Sequence, residues 1–144
     1  MVSKNLKSKH RAFIVSNPIH NGELDNLQLL RISVTETETK VDFGYQATSY
    51  YINGGWIKIS PNTFIRPKGT KKKFLLTNAT NIPYGPEKLH FNSSIEWRYF
   101  SLYFSPLPEY ITEIDLIENE LGDDTDFNFY NIILKDELRK SFIY

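Results

Sequence analysis

The last third of the chain constrains the fold more than any other part. It reads Trp97-Arg-Tyr-Phe-Ser-Leu-Tyr-Phe104, then Ser105-Pro-Leu-Pro108, then Ile114-Asp-Leu-Ile-Glu118, then an acidic loop, then Phe127-Asn-Phe-Tyr-Asn-Ile-Ile-Leu134. Side chains along a strand alternate between the two faces of its sheet. That period puts Phe100, Leu102 and Phe104 on one face of the first segment, and Trp97, Tyr99 and Tyr103 on the other. The two prolines that follow cannot donate to a ladder, so they mark a corner where the chain leaves a sheet. Strand, corner, short strand, loop and closing strand is the order in which an antiparallel β-sandwich ends.

The upstream sequence fits the same architecture. Leu30, Ile32 and Val34 alternate with Arg31, Ser33 and Thr35, the pattern of a half-buried strand. Thr35-Glu-Thr-Glu-Thr39 reads as the wet end of that strand running into a turn, and Val41, Phe43 and Tyr45 form a second alternating strand. Ala12–Ser16 suits an edge strand, and His20–Asn26 a loop. Asn53-Gly54 is a turn signal ahead of Trp56–Ser60. Pro67-Lys-Gly-Thr70 closes a hairpin across residues 63–77, and Ile82–Pro86 is a further loop. Aromatic residues make up 15% of the chain and only three alanines occur, which favours pleated sheets over helices. The expectation is one all-β domain, an immunoglobulin-like antiparallel β-sandwich of seven to eight strands over residues 12–134. A basic tail (1–11) precedes it, and a short tail or helical turn (135–144) follows. Phe43, Phe100, Leu102, Phe104, Ile117 and Ile132 are expected in its core.

Phe104-Ser-Pro-Leu-Pro108, Ile114-Asp-Leu-Ile-Glu118 and Asn131-Ile-Ile-Leu134 resemble a group of uncharacterised bacterial β-sandwich domains. Those domains carry Phe-x-Pro-Leu-Pro, Ile-Asp-x-Ile-Glu and Gly-Ile-x-Leu-like segments in this order. Thr37–Phe43 and Trp56–Phe64 resemble the group's paired early strands, so the likeness spans residues 30–134. Such domains sit beside thioredoxin-like or hydrolase domains in envelope proteins, as accessory modules with no catalytic residues assigned. The resemblance therefore implies a fold and a kind of module, not a chemistry. Here Asn131 stands where the group has Gly, no neighbouring domain accompanies the chain, and no export signal is recognisable.

Charge excludes several functions. Lys plus Arg and Asp plus Glu balance at 17 each, so there is no overall field to attract nucleic acid or anionic lipid. Nucleic-acid binding through the basic tail and Lys71–Lys73 is not expected, since binders of that kind are strongly basic on one face. Without cysteine there is no disulfide, thiolate metal site or Cys nucleophile. No segment approaches the roughly 20 apolar residues of a membrane span, and the run Ala12–Val15 is too short for a signal-peptide core. As written, the sequence suggests the cytoplasm; if a leader was removed, the envelope or the exterior.

The candidate chemistry is sparse. His10, His20 and His90 are scattered with no partner at metal-ligand spacing, so no metal site or cofactor is expected. The acidic loop offers Glu120, Asp123, Asp124 and Asp126 as a weak calcium candidate, but without EF-hand spacing, and reads first as solvated. Glu36 and Glu38 are neighbours by strand period, with no pocket or partner group to make them a glycosidase pair. No Gly-x-Ser-x-Gly or phosphate loop occurs, and Lys71–Lys73 read as edge lysines that discourage sheet-to-sheet aggregation. No enzymatic activity is expected. The outward aromatics remain: Trp56, Trp97, Tyr99 and Tyr103, with Tyr50 and Tyr51. Such rings bring large area and a polar tip to a contact. The expectation is a non-catalytic interaction module, first for a protein partner and second for a carbohydrate. A flat apolar patch would favour protein, a groove with a ring platform would favour sugar.

Overall fold

The computed structural model describes residues 11–14, 19–20, 27–47, 55–93, 96–121 and 127–134. Among the described residues there are eleven strands and no helix. In chain order they are β1 (Arg11–Ile14), β2 (Ile19–His20), β3 (Leu27–Val34), β4 (Thr39–Gln46), β5 (Trp56–Ile57) and β6 (Phe64–Pro67). Then follow β7 (Phe74–Thr80), β8 (Leu89–His90), β9 (Trp97–Phe104), β10 (Glu113–Ile117) and β11 (Phe129–Ile133). Three of the eleven, β2, β5 and β8, are only two residues long, so eight substantial strands answer the expected number. The expected helical turn over 135–144 and most of the basic tail lie outside the described residues.

Nine strands form one antiparallel ladder in the order β1-β3-β4-β9-β7-β6-β10-β11-β2, and β5 pairs with β8 alone. The ladder doubles over at β7. Phe74 and Leu75 pair with β6, whereas Leu76–Thr80 pair with β9, with a register shift between Leu76 and Asn78. A strand that switches sheets at an irregularity is how a sandwich turns a corner. The two halves then face each other across an aromatic core. Phe43 meets Phe129 at 5.8 Å between ring centroids, Tyr45 meets Phe127 at 6.3 Å, and Phe100 meets Phe127 at 6.0 Å. Each such ring fully buried contributes roughly 1.5–3 kcal/mol. The six residues expected in the core are all buried.

Local details depart from the simple alternation. Leu30 is not in the core: it is exposed, and Leu27, Leu29, Ile32 and Val34 point inward instead. The cause is a β-bulge, because Leu29 pairs with Phe43 and Arg31 with Asp42, leaving Leu30 as the extra residue. The bulge shifts the inward parity by one residue. Glu36 and Glu38 fall in the hairpin turn that follows, closed by Thr35 N donating to Glu38 O at 2.9 Å. His20, expected to open a loop, instead forms a short strand with Ile19 at the end of the ladder beside β11.

The proline corner is pinned from two sides. Thr39 Oγ1 donates to Ser105 O at 3.1 Å and accepts from Leu107 N at 3.0 Å, which seats Leu107 in the core. Arg11 Nη2 donates to Leu107 O at 2.9 Å and ties β1 to the same corner. The acidic loop is clamped at both ends. Glu118, at the loop's start, is buried; Ser60 N and Phe127 N each donate to its carboxylate at 2.8 Å. Asn128 Oδ1 accepts from Glu118 N at 2.7 Å, closing the clamp.

Candidate functional site

The β4–β9 ladder carries four outward pairs: Gln46 opposite Trp97, Gly44 opposite Tyr99, Asp42 opposite Ser101, and Lys40 opposite Tyr103. These pairs divide the outer face into two ends. At the polar end every group is occupied. Asp42 accepts from Ser101 Oγ at 2.6 Å and forms ion pairs with Arg31 at 3.3 Å and Lys40 at 3.7 Å. Tyr103 is half-buried, with the Lys40 ammonium 5.9 Å from its ring centroid and its hydroxyl 3.4 Å from Thr80 Oγ1.

The aromatic end is different. Trp97 and Tyr99 are 44% and 63% exposed. Their rings lie near-parallel, 13° apart, with centroids at 6.3 Å. Gly44 makes room for both: a Cβ there would sit 3.3 Å from Tyr99 Cε1 and 3.4 Å from Trp97 Cζ3. The pair thus packs over bare β4 backbone, and the cross-strand register holds it there.

A groove with a volume of about 980 Å3 opens beside these rings. Trp97, Arg98 and Tyr99 line one side; Asn81, Ile82, Pro83, Glu87, Lys88 and Leu89 line the other. The second wall follows from sheet pairing. β7 runs antiparallel to β9 with Thr80 opposite Ser101, so the chain leaving β7 travels back past Tyr99 towards Trp97. Buried Ile82 anchors it, and Ile59 holds it by donating to Pro83 O at 3.0 Å and accepting from Gly85 N at 2.9 Å. At the floor end, Glu96 forms a 2.7 Å ion pair with Arg98 and accepts from Asn92 N at 2.8 Å.

Trp56 sits apart from the ring pair, on β5 opposite His90. It is 42% exposed, but two ammonium groups attend its ring, Lys88 at 4.4 Å and Lys58 at 5.8 Å from the centroid. The Lys88 contact bridges from the β8 side to β5 and adds to their pairing. The site residues expected from sequence therefore separate into three: Trp97 and Tyr99 adjoin, Tyr103 belongs to the polar end, and Trp56 is engaged by lysines. Tyr50 and Tyr51 lie outside the described residues.

Of the calcium candidates, Glu120 is exposed, hydrogen-bonded by Arg66 at 2.8 Å and 3.7 Å from Lys73. The hydrogen bond from Arg66, with the charges of Arg66 and Lys73, holds its carboxyl below the usual 4.5. Asp123, Asp124 and Asp126 lie outside the described residues. Among the described residues no three His, Asp or Glu side chains converge as metal ligands. Lys72 and Lys73 at the hairpin turn pack over Phe74 and Phe64, at 5.2 and 4.5 Å. No helix among the described residues is long and apolar enough to cross a membrane.

The sequence reading missed the groove's second wall and the Glu96–Arg98 pair. Residues 81–86 are recognisable as a loop, but their place beside Trp97 depends on the β7–β9 pairing, for which no local signal exists. Compared with protein-family models, with curated proteins and with solved structures, the chain matches none.

Proposed function

We propose that this chain is a non-catalytic binding module that meets its ligand through Trp97 and Tyr99 on the outer face of the β4–β9 ladder. One observation carries the reading: two large rings stay exposed, side by side, over a glycine that accommodates them. Exposing a Tyr and a Trp on a sheet costs solubility and adds little to the fold, whereas such rings are common anchors at contacts. Glu96, the acid nearest the rings by sequence, is already engaged by Arg98 and the Asn92 amide, which favours holding over proton transfer. The likeness to accessory β-sandwich domains of envelope proteins points the same way. A protein partner comes first from composition. The groove favours the second reading, a carbohydrate, because the rings border a channel of amide and charged groups rather than a flat apolar patch.

The test is site-specific photocrosslinking in the native host. A photoreactive residue at Tyr99 should give a specific adduct, and one at Glu120, on the opposite face, should not. Equal labelling from both positions, or none from Tyr99, rejects the contact face.

A further inference from the structure

We infer that the groove beside Trp97 and Tyr99 takes an uncharged polysaccharide chain, with sugar rings lying against the two aromatic rings. The inference rests on the contact-face reading above and narrows it to one ligand class.

Three properties select this ligand. The first is charge. The groove carries Glu87 and Glu96 against Lys88 and Arg98, so its formal charges cancel. Glu96 and Arg98 neutralise each other at 2.7 Å, and Lys88 is drawn to the Trp56 ring. No net field remains to collect an anionic or cationic chain. The second is hydrogen bonding. Sugar hydroxyls both donate and accept, and the wall facing the rings offers both kinds of partner: the Glu87 carboxylate that accepts, the Lys88 ammonium that donates, and the Asn81 amide that does both.

The third property is shape. Sugar rings have apolar C–H faces that need flat apolar surface without a deep cavity. Trp97 and Tyr99 supply two such surfaces, near-parallel and successive along one strand face. The groove, at about 980 Å3, reaches the upper end of small-molecule sites and lies open to solvent, which suits a chain passing through rather than a single sugar held inside. On its described walls Ile82 is buried and Leu89 half-buried, so no broad apolar patch extends from the rings to dock a folded protein. The site is also preformed, because strand register and Gly44 set the rings before any ligand arrives.

The experiment is affinity electrophoresis and calorimetry of the full chain with soluble polysaccharides. The neutral set is β-glucan, mannan, xylan and galactan; the anionic set is alginate and polygalacturonate. At least one neutral polymer should bind, insensitively to added salt. Trp97→Ala and Tyr99→Ala should each weaken that binding about tenfold or more. Gly44→Val should weaken it as well, because its side chain displaces both rings, while Trp56→Phe should leave it unchanged. Unfolding midpoints of all variants are measured alongside, and Tyr99→Phe, which keeps the ring, should retain binding.

The inference is overturned if no neutral polymer binds, if binding survives both ring-to-alanine variants, or if only anionic polymers bind and salt releases them. If no polysaccharide binds but Tyr99 crosslinks to a protein, the carbohydrate assignment falls and the contact face stands. If neither occurs, both readings fall.

Discussion

Two regions of the outer surface, around Phe64 and around Tyr99, treat their aromatic residues in opposite ways. On the β6–β10–β11 face, Phe64 is covered by the protein's own cations. The Lys73 ammonium lies 4.5 Å and the Arg66 guanidinium 5.8 Å from its ring centroid, and the side chain is 5% exposed. Arg66 is held in turn by Glu120 and Asp115, so ring, cation and carboxylates form a closed set. On the β4–β9 face, no cation or carboxylate among the described residues lies over Tyr99, which is 63% exposed. A folded chain can therefore cap an outward ring with long basic side chains, and this one does so where the ring serves stability. The Trp97–Tyr99 pair at the other face is left exposed.

That contrast can be broken by paired truncations. Leu102→Ala, beneath both faces in the core, sets the scale at about 2–5 kcal/mol. Phe64→Ala should cost about 3 kcal/mol, close to a core phenylalanine, because it is buried under its cations. Tyr99→Ala should stay within about 0.5 kcal/mol of the parent. Denaturant unfolding reads all three. A Tyr99→Ala loss as large as that of Phe64→Ala would make the ring pair part of the fold and erase the distinction.

A smaller effect is expected at Asn131, on the closed face. Its φ of 58° lies in the left-handed region, where Asn is tolerated and β-branched residues are not. The Asp115 carboxylate accepts from its amide at 2.9 Å, and Lys68 donates to its side chain. Asn131→Val should cost about 1–3 kcal/mol, whereas Asn131→Gly should be close to neutral. A Val variant as stable as the parent would show that the backbone there is not held as described.

The smallest effect belongs to the exposed ion pairs of the closed face. Hydrogen bonding from Arg66 lowers the Glu120 carboxyl below 4.5 in the folded protein. A carboxylate with a depressed folded value adds stability above its unfolded value, and that contribution is lost as pH falls from about 4.5 through the folded value. Carboxyl NMR should find the Glu120 midpoint under 4.5, moving up towards it in Arg66→Ala. Added salt should shrink the difference, as the pair is exposed. A midpoint at or above 4.5 in the parent would mean that the cations over Phe64 are not tied to Glu120.

Much of the fold is legible along the chain, and the reason is local. Trp97–Phe104 keeps strict alternation, so its inward Phe100, Leu102 and Phe104 and outward Trp97 and Tyr99 follow from period alone. Gly-containing Pro67–Thr70 turns where expected, with Gly69 at a φ of 80°. Asn131 takes a positive φ of 58°, a conformation that Asn tolerates better than most residues. Leu30 was not legible, because a bulge inserts one residue and reverses parity without changing composition. Tyr103 and Trp56 have the same outward signature as Tyr99, yet Lys40 and the pair Lys58 and Lys88 engage their rings.

Sequence alone determines the all-β class, the strands with regular alternation, and which rings face outward, because backbone geometry gives side chains a period that needs no distant partner. Tertiary structure alone decides which outward rings stay uncovered, that Gly44 lies beneath two of them, and that residues 81–89 wall a groove beside them. These outcomes depend on pairing between segments far apart in the chain, β4 with β9 and β7 with both β6 and β9. Such pairing is chosen by the packing of the whole core, not by any residue's own preference.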